Sequence, residues 1–353
     1  RSQPVFLPVW TGMSDRQFTY ETNSCWVGDL CFLPEVGAAA GEKFLQNAAI
    51  SSPNSRWATS TAFKGAAFDT AGRNITAVYA VKRVPKNSQY LPKGRLSREL
   101  YDWYAWSSTD QYEKIPIRLQ APPGKRMIVI DSTDTGELVA WAQVPFRVGS
   151  DGKEVLGEVN APVKSNPQCT QAFTYPFVMA IVDDQGGSKQ ALSRLETGIP
   201  KAEHRRSFGM EGFPMYHDRG LFNYRRIISR YAGEAAVSRS TTGEMTMVNW
   251  TQGNDWNIMD DPLIMGPEAL QQTGQYQNWM GGLSIAALKN GENHALLFAE
   301  WLIDNQATAD LPLTFLYGPD GPMRTQSGLS MVPYIREGRR IIGRPAYGQE
   351  QFM

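Results

Sequence analysis

Phosphate-cradling loops are missing from this chain. Its 353 residues include 32 glycines, yet no GxGxxG and no GxxxxGK ending in Ser or Thr occurs, so neither common glycine loop for nucleotide phosphates is encoded in it. HExxH and GxSxG are missing too, which removes the sequence signatures of zinc peptidases and α/β-hydrolases. Histidine is scarce: His204, His217 and His294 lie far apart, so no metal set and no histidine-based triad is legible. Cysteine is scarcer in its use. Cys25, Cys31 and Cys169 are too few for a disulfide framework, and the CxxxxxC spacing of the first two matches no common zinc site. They read as small buried hydrophobes. No excess charge of either sign exists, with 35 basic and 35 acidic side chains. That argues against nucleic acid or an anionic membrane as the principal partner. The longest uncharged apolar stretch, Ala172 to Val182, falls short of the roughly 20 residues that span a bilayer. No charged leader followed by an apolar core precedes QPVFLPVW. With Arg1 at one end and GQEQFM at the other, the chain reads as a processed product or a piece of a longer protein.

What is present is an ordinary globular balance, 42% hydrophobic and 20% charged, long enough for two domains or one large one. EVGAAAGEKFLQNAA reads as a short helix with Ala, Leu and Phe on one side. WATSTAFKGAAFD and NITAVYAVKRV, β-rich runs around the turn signal at Thr70 to Asn74, suggest a hairpin. RMIVI (126–130) is a short continuous apolar run, which suits a strand buried on both faces of a parallel sheet. It ends in Asp131 and STDTGELVAWA, whose hydroxyls and carboxylates suit the cap of a helix starting near Gly136, with Glu137 in its first turn. Residues 148–170, rich in Gly, Pro and Asn, form the best candidate crossing between domains. FTYPFVMAIVD, FNYRRIISRY and EMTMVNW are strand-like, and Leu283 to Asn305 is the clearest helix, interrupted by Asn290-Gly291.

Three constellations carry chemistry. In the first, a strand ends in Asp131, Ser132, Thr133, Asp134, Thr135, Gly136 and Glu137, the arrangement by which open α/β sheets present ligand sites at their carboxyl edge; an ordinary βα connection with a good cap explains it as well. In the second, Asn249, Trp250, Asn254, Asp255 and Trp256 put amides, a carboxylate and two indoles just after a strand, which suits a polar small-molecule pocket with flat walls. A structural loop with Asn and Asp in turns is the plain alternative. In the third, Arg336, Arg339 and Arg340 suit a carboxylate or phosphate, or form a solvated face paired with Glu337. Asp260-Asp261 is a weak candidate for paired carboxylates, because adjacent residues on a strand point to opposite faces.

RMIVIDSTDTGELVAWAQVPFRVG resembles the stretch of FAD-dependent oxidoreductases with a glutathione-reductase-like flavin domain in which a strand runs into an Ala-Thr-Gly-Asp-like turn near the flavin. Further similar segments follow in order: NSCWVGDLCFLPEV, Gly157-Glu158, QAFTYPF, LFNYRRI, NWTQGNDW, HALLFAEWL and PYIREGRRIIG. The chain departs from that pattern by lacking the strand–GxGxxG–helix for the pyrophosphate, the active-site loop after it and the segment that closes around the isoalloxazine. Glu137 stands where Asp is commoner. The resemblance implies an α/β or α+β fold, with 1–150 as the remainder of a flavin-binding domain carrying a β-hairpin insertion, and 151–353 as a mixed-sheet substrate domain with a long helix near 283–305. It implies FAD as cofactor, with Asp131 to Glu137 beside it. The function implied is oxidation of a polar small molecule by hydride transfer to the flavin. Asn249, Trp250, Asn254, Asp255 and Trp256 are then substrate residues, and Arg336 and Arg340 hold an anionic group. A second chain supplying the dinucleotide-binding segment is the expected partner. The competing reading, from the ten tryptophans, is a non-catalytic carbohydrate-binding module or an assembly subunit.

Overall fold

The computed structural model describes residues 25–27, 31–217, 219–228, 239–256 and 262–343. Asp260 and Asp261 lie outside them. Helix α1 (Pro34–Ser51) starts on a proline and runs longer than its apolar side suggests, yet none of its residues is buried. Strands β1 (Thr61–Phe68) and β2 (Ile75–Pro85) form the expected hairpin. Its turn is tied by the Asp69 carboxylate, which accepts from the Arg73 and Asn74 backbone N–H groups and from Asn74 Nδ2. A register shift between Phe63 and Gly65 bulges the strand at Lys64, and bulges re-aim side chains. Lys64 is buried, donating to Asn278 Oδ1 at 2.8 Å and to the Trp279 carbonyl. After a 3₁₀ turn at Leu96–Arg98, α2 (Leu100–Tyr104) leads to β3 (Tyr112–Leu119), which adds antiparallel to β2.

The family-like half follows. Short elements alternate: α3 (Glu137–Trp141), β4 (Phe146–Arg147), α4 (Lys153–Leu156), β5 (Phe173–Thr174), β6 (Phe177–Ala180), α5 (Gly187–Ser193), α6 (Lys201–Arg205), α7 (Leu221–Tyr224), β7 (Arg226–Ile228), β8 (Met245–Val248), β9 (Asp255–Trp256) and α8 (Pro267–Gln272). They close with α9 (Ile285–Gln306), β10 (Thr314–Phe315) and β11 (Arg340–Ile341). One sheet has the order β10-β6-β8-β7, and β4–β11 and β5–β9 are separate two-stranded ladders. Every ladder among the described residues is antiparallel. The α+β alternative is therefore the architecture observed.

Helix α9 is the spine of the core. Ser284 caps it through a bond from the Ala287 N–H, and Leu288, Leu297, Phe298 and Leu302 are fully buried. Each such side chain contributes about 1.5–3 kcal/mol on transfer out of water. The Asn290-Gly291 interruption does not break the helix. Gly291 lets the Phe173 ring approach where any Cβ would collide, at 2.5 Å. The buried Glu292 that follows is met by Arg95 Nε at 2.7 Å, the Ser97 N–H and hydroxyl, and the Tyr175 hydroxyl. Polar residues at a helix face normally oppose burial; here a complete set of partners permits it.

Two expectations fail. Residues 126–130 form no ladder, and Ile128 and Ile130 are 75% and 83% exposed. A continuous apolar run is consistent with a doubly covered strand, but nothing among the described residues covers it. Cys25 and Cys31 are not free thiols but a disulfide, with Cα atoms 5.8 Å apart. Spacing alone could not separate a bonded pair from two buried thiols, since bridging depends on where the backbone brings the Cβ atoms. Cys169 is exposed, not buried. Within 148–170, reciprocal backbone bonds join Ser150 and Asn166.

Candidate functional site

The turn after residue 130 folds as its chemistry dictates. The Asp131 carboxylate accepts from the Thr133 N–H, the Thr133 hydroxyl and the Leu138 N–H, and Thr133 Oγ1 accepts from the Glu137 N–H. This is side-chain capping of α3. Gly136 takes a left-handed conformation (φ 66°) and lies against Arg339, whose Cβ would sit 3.2 Å from a methyl group placed there. Ser132 and Asp134 remain exposed.

Two of the segments singled out from the sequence meet at this point. Arg339 is buried and donates to the carbonyls of Thr135, Met265 and Gly282 at 2.8–3.0 Å, between the rings of Phe146 and Trp279. Burial lowers its pKa to about 10, with Glu137 as the largest opposing influence. Glu137 accepts from the Tyr104 hydroxyl at 2.9 Å and from Trp279 Nε1 at 2.5 Å. Burial raises the Glu137 pKa, and its bonds to Trp279 and Tyr104 oppose that shift. Arg339 thus works as an internal strut that fastens the 131–137 turn to the loop before α9.

A second meeting is half-open. The β5–β9 ladder sets Asp255 opposite Thr174, and a backbone bridge from Thr174 to Tyr334 brings the following arginine alongside. Arg336 donates to Asp255 Oδ1 at 3.1 Å, to Asn249 Oδ1 at 3.5 Å and to the Ala172 carbonyl. Its side chain keeps 24% exposure. Arg340 takes different partners, namely Glu337, Asp151 and the Gly149 carbonyl.

The neighbouring residues of the second constellation are built inward. Asn254 is fully buried. Its Oδ1 accepts from the Trp250 N–H, and both of its amide hydrogens go to the carbonyls of Tyr175 and Val248. Trp250 donates through Nε1 to the Gly209 carbonyl. Trp256 packs on His204 and His294, with ring centroids 5.2 and 4.9 Å away. The two histidines, remote in sequence, bring Nδ1 atoms within 3.0 Å, so one ring donates to the other. Burial lowers both pKa values, that of His294 to about 3. Among the described residues no cluster of three or more metal-ligating side chains exists. Among the described residues no helix is long and apolar enough to cross a membrane.

Two cavities lie beside the Phe146 and Met265 end of the first meeting. One cavity of about 690 Å³ is lined by Phe146, Glu268 and Tyr276. An adjoining one of about 630 Å³ reaches from Phe146 and Glu268 to Asp151 and Met265. Phe146, Met265, Glu268 and Tyr276 gave no signal in the sequence, because α8 and β4 become neighbours only in the fold. Trp279 and Tyr104 were equally invisible as partners of Glu137.

The family model for the FAD dependent oxidoreductases matches residues 124–352, which takes in the 131–137 turn, all three arginines and helix α9. The chain belongs to that family. No curated protein and no solved structure matches it. The family is FAD-dependent, but the described residues hold no complete seat for the dinucleotide. The carboxylate of Asp131, the hydroxyl of Thr133 and the carboxylate of Glu137 are all engaged within the turn or its supports. What the turn offers outward is the Ser132 hydroxyl, the Asp134 carboxylate and the apolar edge at Ile128 and Ile130. No glycine loop of the pyrophosphate-binding type accompanies it.

Proposed function

We propose that the chain is the substrate side of a flavin-dependent oxidoreductase that oxidises a polar small molecule, and that a second chain brings the dinucleotide-binding segment to the exposed strip 126–131. In this reading 1–150 is the remainder of the flavin-binding domain and 151–353 the substrate domain. Bound beside the 131–137 turn, FAD would supply a two-electron acceptor for a substrate hydride, the accompanying proton leaving to solvent. The tasks of this chain are to present the rigid turn 131–137 to the cofactor and to orient the substrate.

Arg336 is the residue assigned to an anionic substrate group. It is reachable and fixed by Asp255, Asn249 and the Ala172 carbonyl, so a planar fork of donors is held in one orientation. Arg340 is the second candidate, held by Glu337 at the Asp151 end of the groove. Asn254, Trp250 and Trp256 support this surface from beneath, as the buried layer that keeps Asp255 in register.

The observation that carries the reading is the family match across the turn and the arginine segment, joined in space by Arg339. Trp103, Trp250, Trp256 and Trp279 are buried, so a carbohydrate-binding reading has only the exposed indoles of Trp57 and Trp106 to draw on among the described residues that stand well clear of the core. The exposed isoleucines favour assembly, because apolar side chains left uncovered on a segment outside any ladder are a surface for pairing with another chain. The test is to isolate the protein with its natural partners and record the visible spectrum. A yellow complex containing a GxGxxG chain supports the proposal. A colourless one that takes up no FAD at micromolar concentrations overturns it.

A further inference from the structure

A separate cavity of about 420 Å³ lies between the 93–98 turn, α5, α9 and the 315–327 loop. It shares no lining residue with the groove beside α8. Its floor is apolar: Leu192, Leu296 and Phe315 are buried there. Tyr317 lies stacked on Phe315, with planes 17° apart, and is itself exposed, so a flat ring stands at the mouth. Three basic side chains line the cavity, Lys93, Arg95 and Arg98, and no acidic side chain does. The charge of Arg95 is met within the core by Glu292. Among the described residues no carboxylate lies within salt-bridge distance of Lys93 or Arg98.

The rim is also rigid. The 91–95 and 325–328 segments clasp each other through the Gln326 N–H to the Pro92 carbonyl, the Ser327 N–H to the Lys93 carbonyl and the Ser327 hydroxyl to the Gly94 carbonyl. Lys93 is therefore carried on a fixed backbone. Two cations without internal partners, set over an apolar floor with an aromatic wall, make a complementary seat for a molecule with one anionic end and one flat apolar end.

We propose that this cavity binds a small organic anion with an aromatic body, its carboxylate or phosphate between Lys93 and Arg98 and its ring against Tyr317 and the leucine floor. Arg98 offers a bidentate fork and Lys93 a point charge, which together suit either head group.

Titration calorimetry on the intact chain tests this with four probes: 2-naphthoate, 2-naphthyl phosphate, neutral 2-naphthalenemethanol and inorganic phosphate. One or both naphthyl anions should bind with dissociation constants below about 1 mM, and their ratio tells which head group the seat prefers. K93Q/R98Q should weaken that binding by about tenfold or more, the equivalent of one charge-assisted contact. Circular dichroism should show its fold unchanged, since Arg98 is exposed and Lys93 half-buried. Tyr317→Ala should weaken naphthyl binding while leaving inorganic phosphate as weak as before. The proposal is overturned if neither anion binds, if the neutral alcohol binds as well as they do, if inorganic phosphate alone matches them, or if K93Q/R98Q changes nothing.

Discussion

Arg336 and Arg339 are three residues apart and both reach residues distant in sequence, yet one is sealed and the other reachable. Arg339 donates to three backbone carbonyls between two rings, whereas Arg336 shares Asp255 with Thr174 and keeps part of its guanidinium in water. The same side chain therefore serves two purposes, and burial decides which. A guanidinium enclosed on all sides satisfies the molecule's own acceptors, and one left partly wet can still meet a ligand.

The comparison breaks first at Arg339. Arg339→Met would leave the Met265 carbonyl without a donor, strip the Thr135 and Gly282 carbonyls of one of their two donors, and remove a buried cation that favours the Glu137 carboxylate. We expect a loss of about 3–5 kcal/mol in urea unfolding; a loss under about 1 kcal/mol would make Arg339 no strut at all. Glu137→Gln replaces one acceptor by a donor facing either Trp279 Nε1 or the Tyr104 hydroxyl. About 1–3 kcal/mol should go, read from the same denaturation midpoint.

A second enclosed polar pair, His204 and His294, sharpens the contrast through pH. Their folded pKa values lie below the ordinary histidine value, that of His294 at about 3. The unfolded chain thus binds more protons than the folded one below about pH 6.5, and stability falls as the solution is acidified through that window. Each histidine contributes a slope of up to about 1.4 kcal/mol per pH unit. Melting curves from pH 8 to pH 5 should show the decline, and His294→Gln should flatten it. An identical slope in the variant would assign the acid sensitivity elsewhere. The smallest effect on folding belongs to Arg336→Ala, about 1 kcal/mol or less for a partly solvated pair. Its turnover, once a substrate is in hand, should drop at least about tenfold, and unchanged turnover would remove Arg336 from the site.

How much of this was legible in the sequence follows from what each signal depends on. The hairpin, the capped turn and α9 were readable because their causes are local: Asp69 and Asn74 in the turn, Asp131 and Thr133 at the cap, apolar spacing along the helix. Residues 126–130 misled because an apolar run states what a segment can tolerate, not what covers it. The disulfide was missed because six residues of spacing do not fix Cβ geometry. Among the candidate site residues, Arg336, Asp255 and Asn249 converge, while Asn254, Trp250 and Trp256 face the core. Amide and indole side chains serve pockets and interiors equally well, and only the fold tells which. The cavity beside Tyr317 had no signal either, since Lys93, Arg98 and Leu296 belong to different stretches of chain.

The family model begins at residue 124, and a chain trimmed to that border is a natural choice for an expression experiment. Helix α9 forbids it. Its fully buried carboxylate, at Glu292, would survive the cut while Arg95 and Ser97 would be removed with the discarded portion. The shortened protein would carry an unmatched negative charge at the centre of its longest helix, so the first 123 residues are part of what lets the remainder fold.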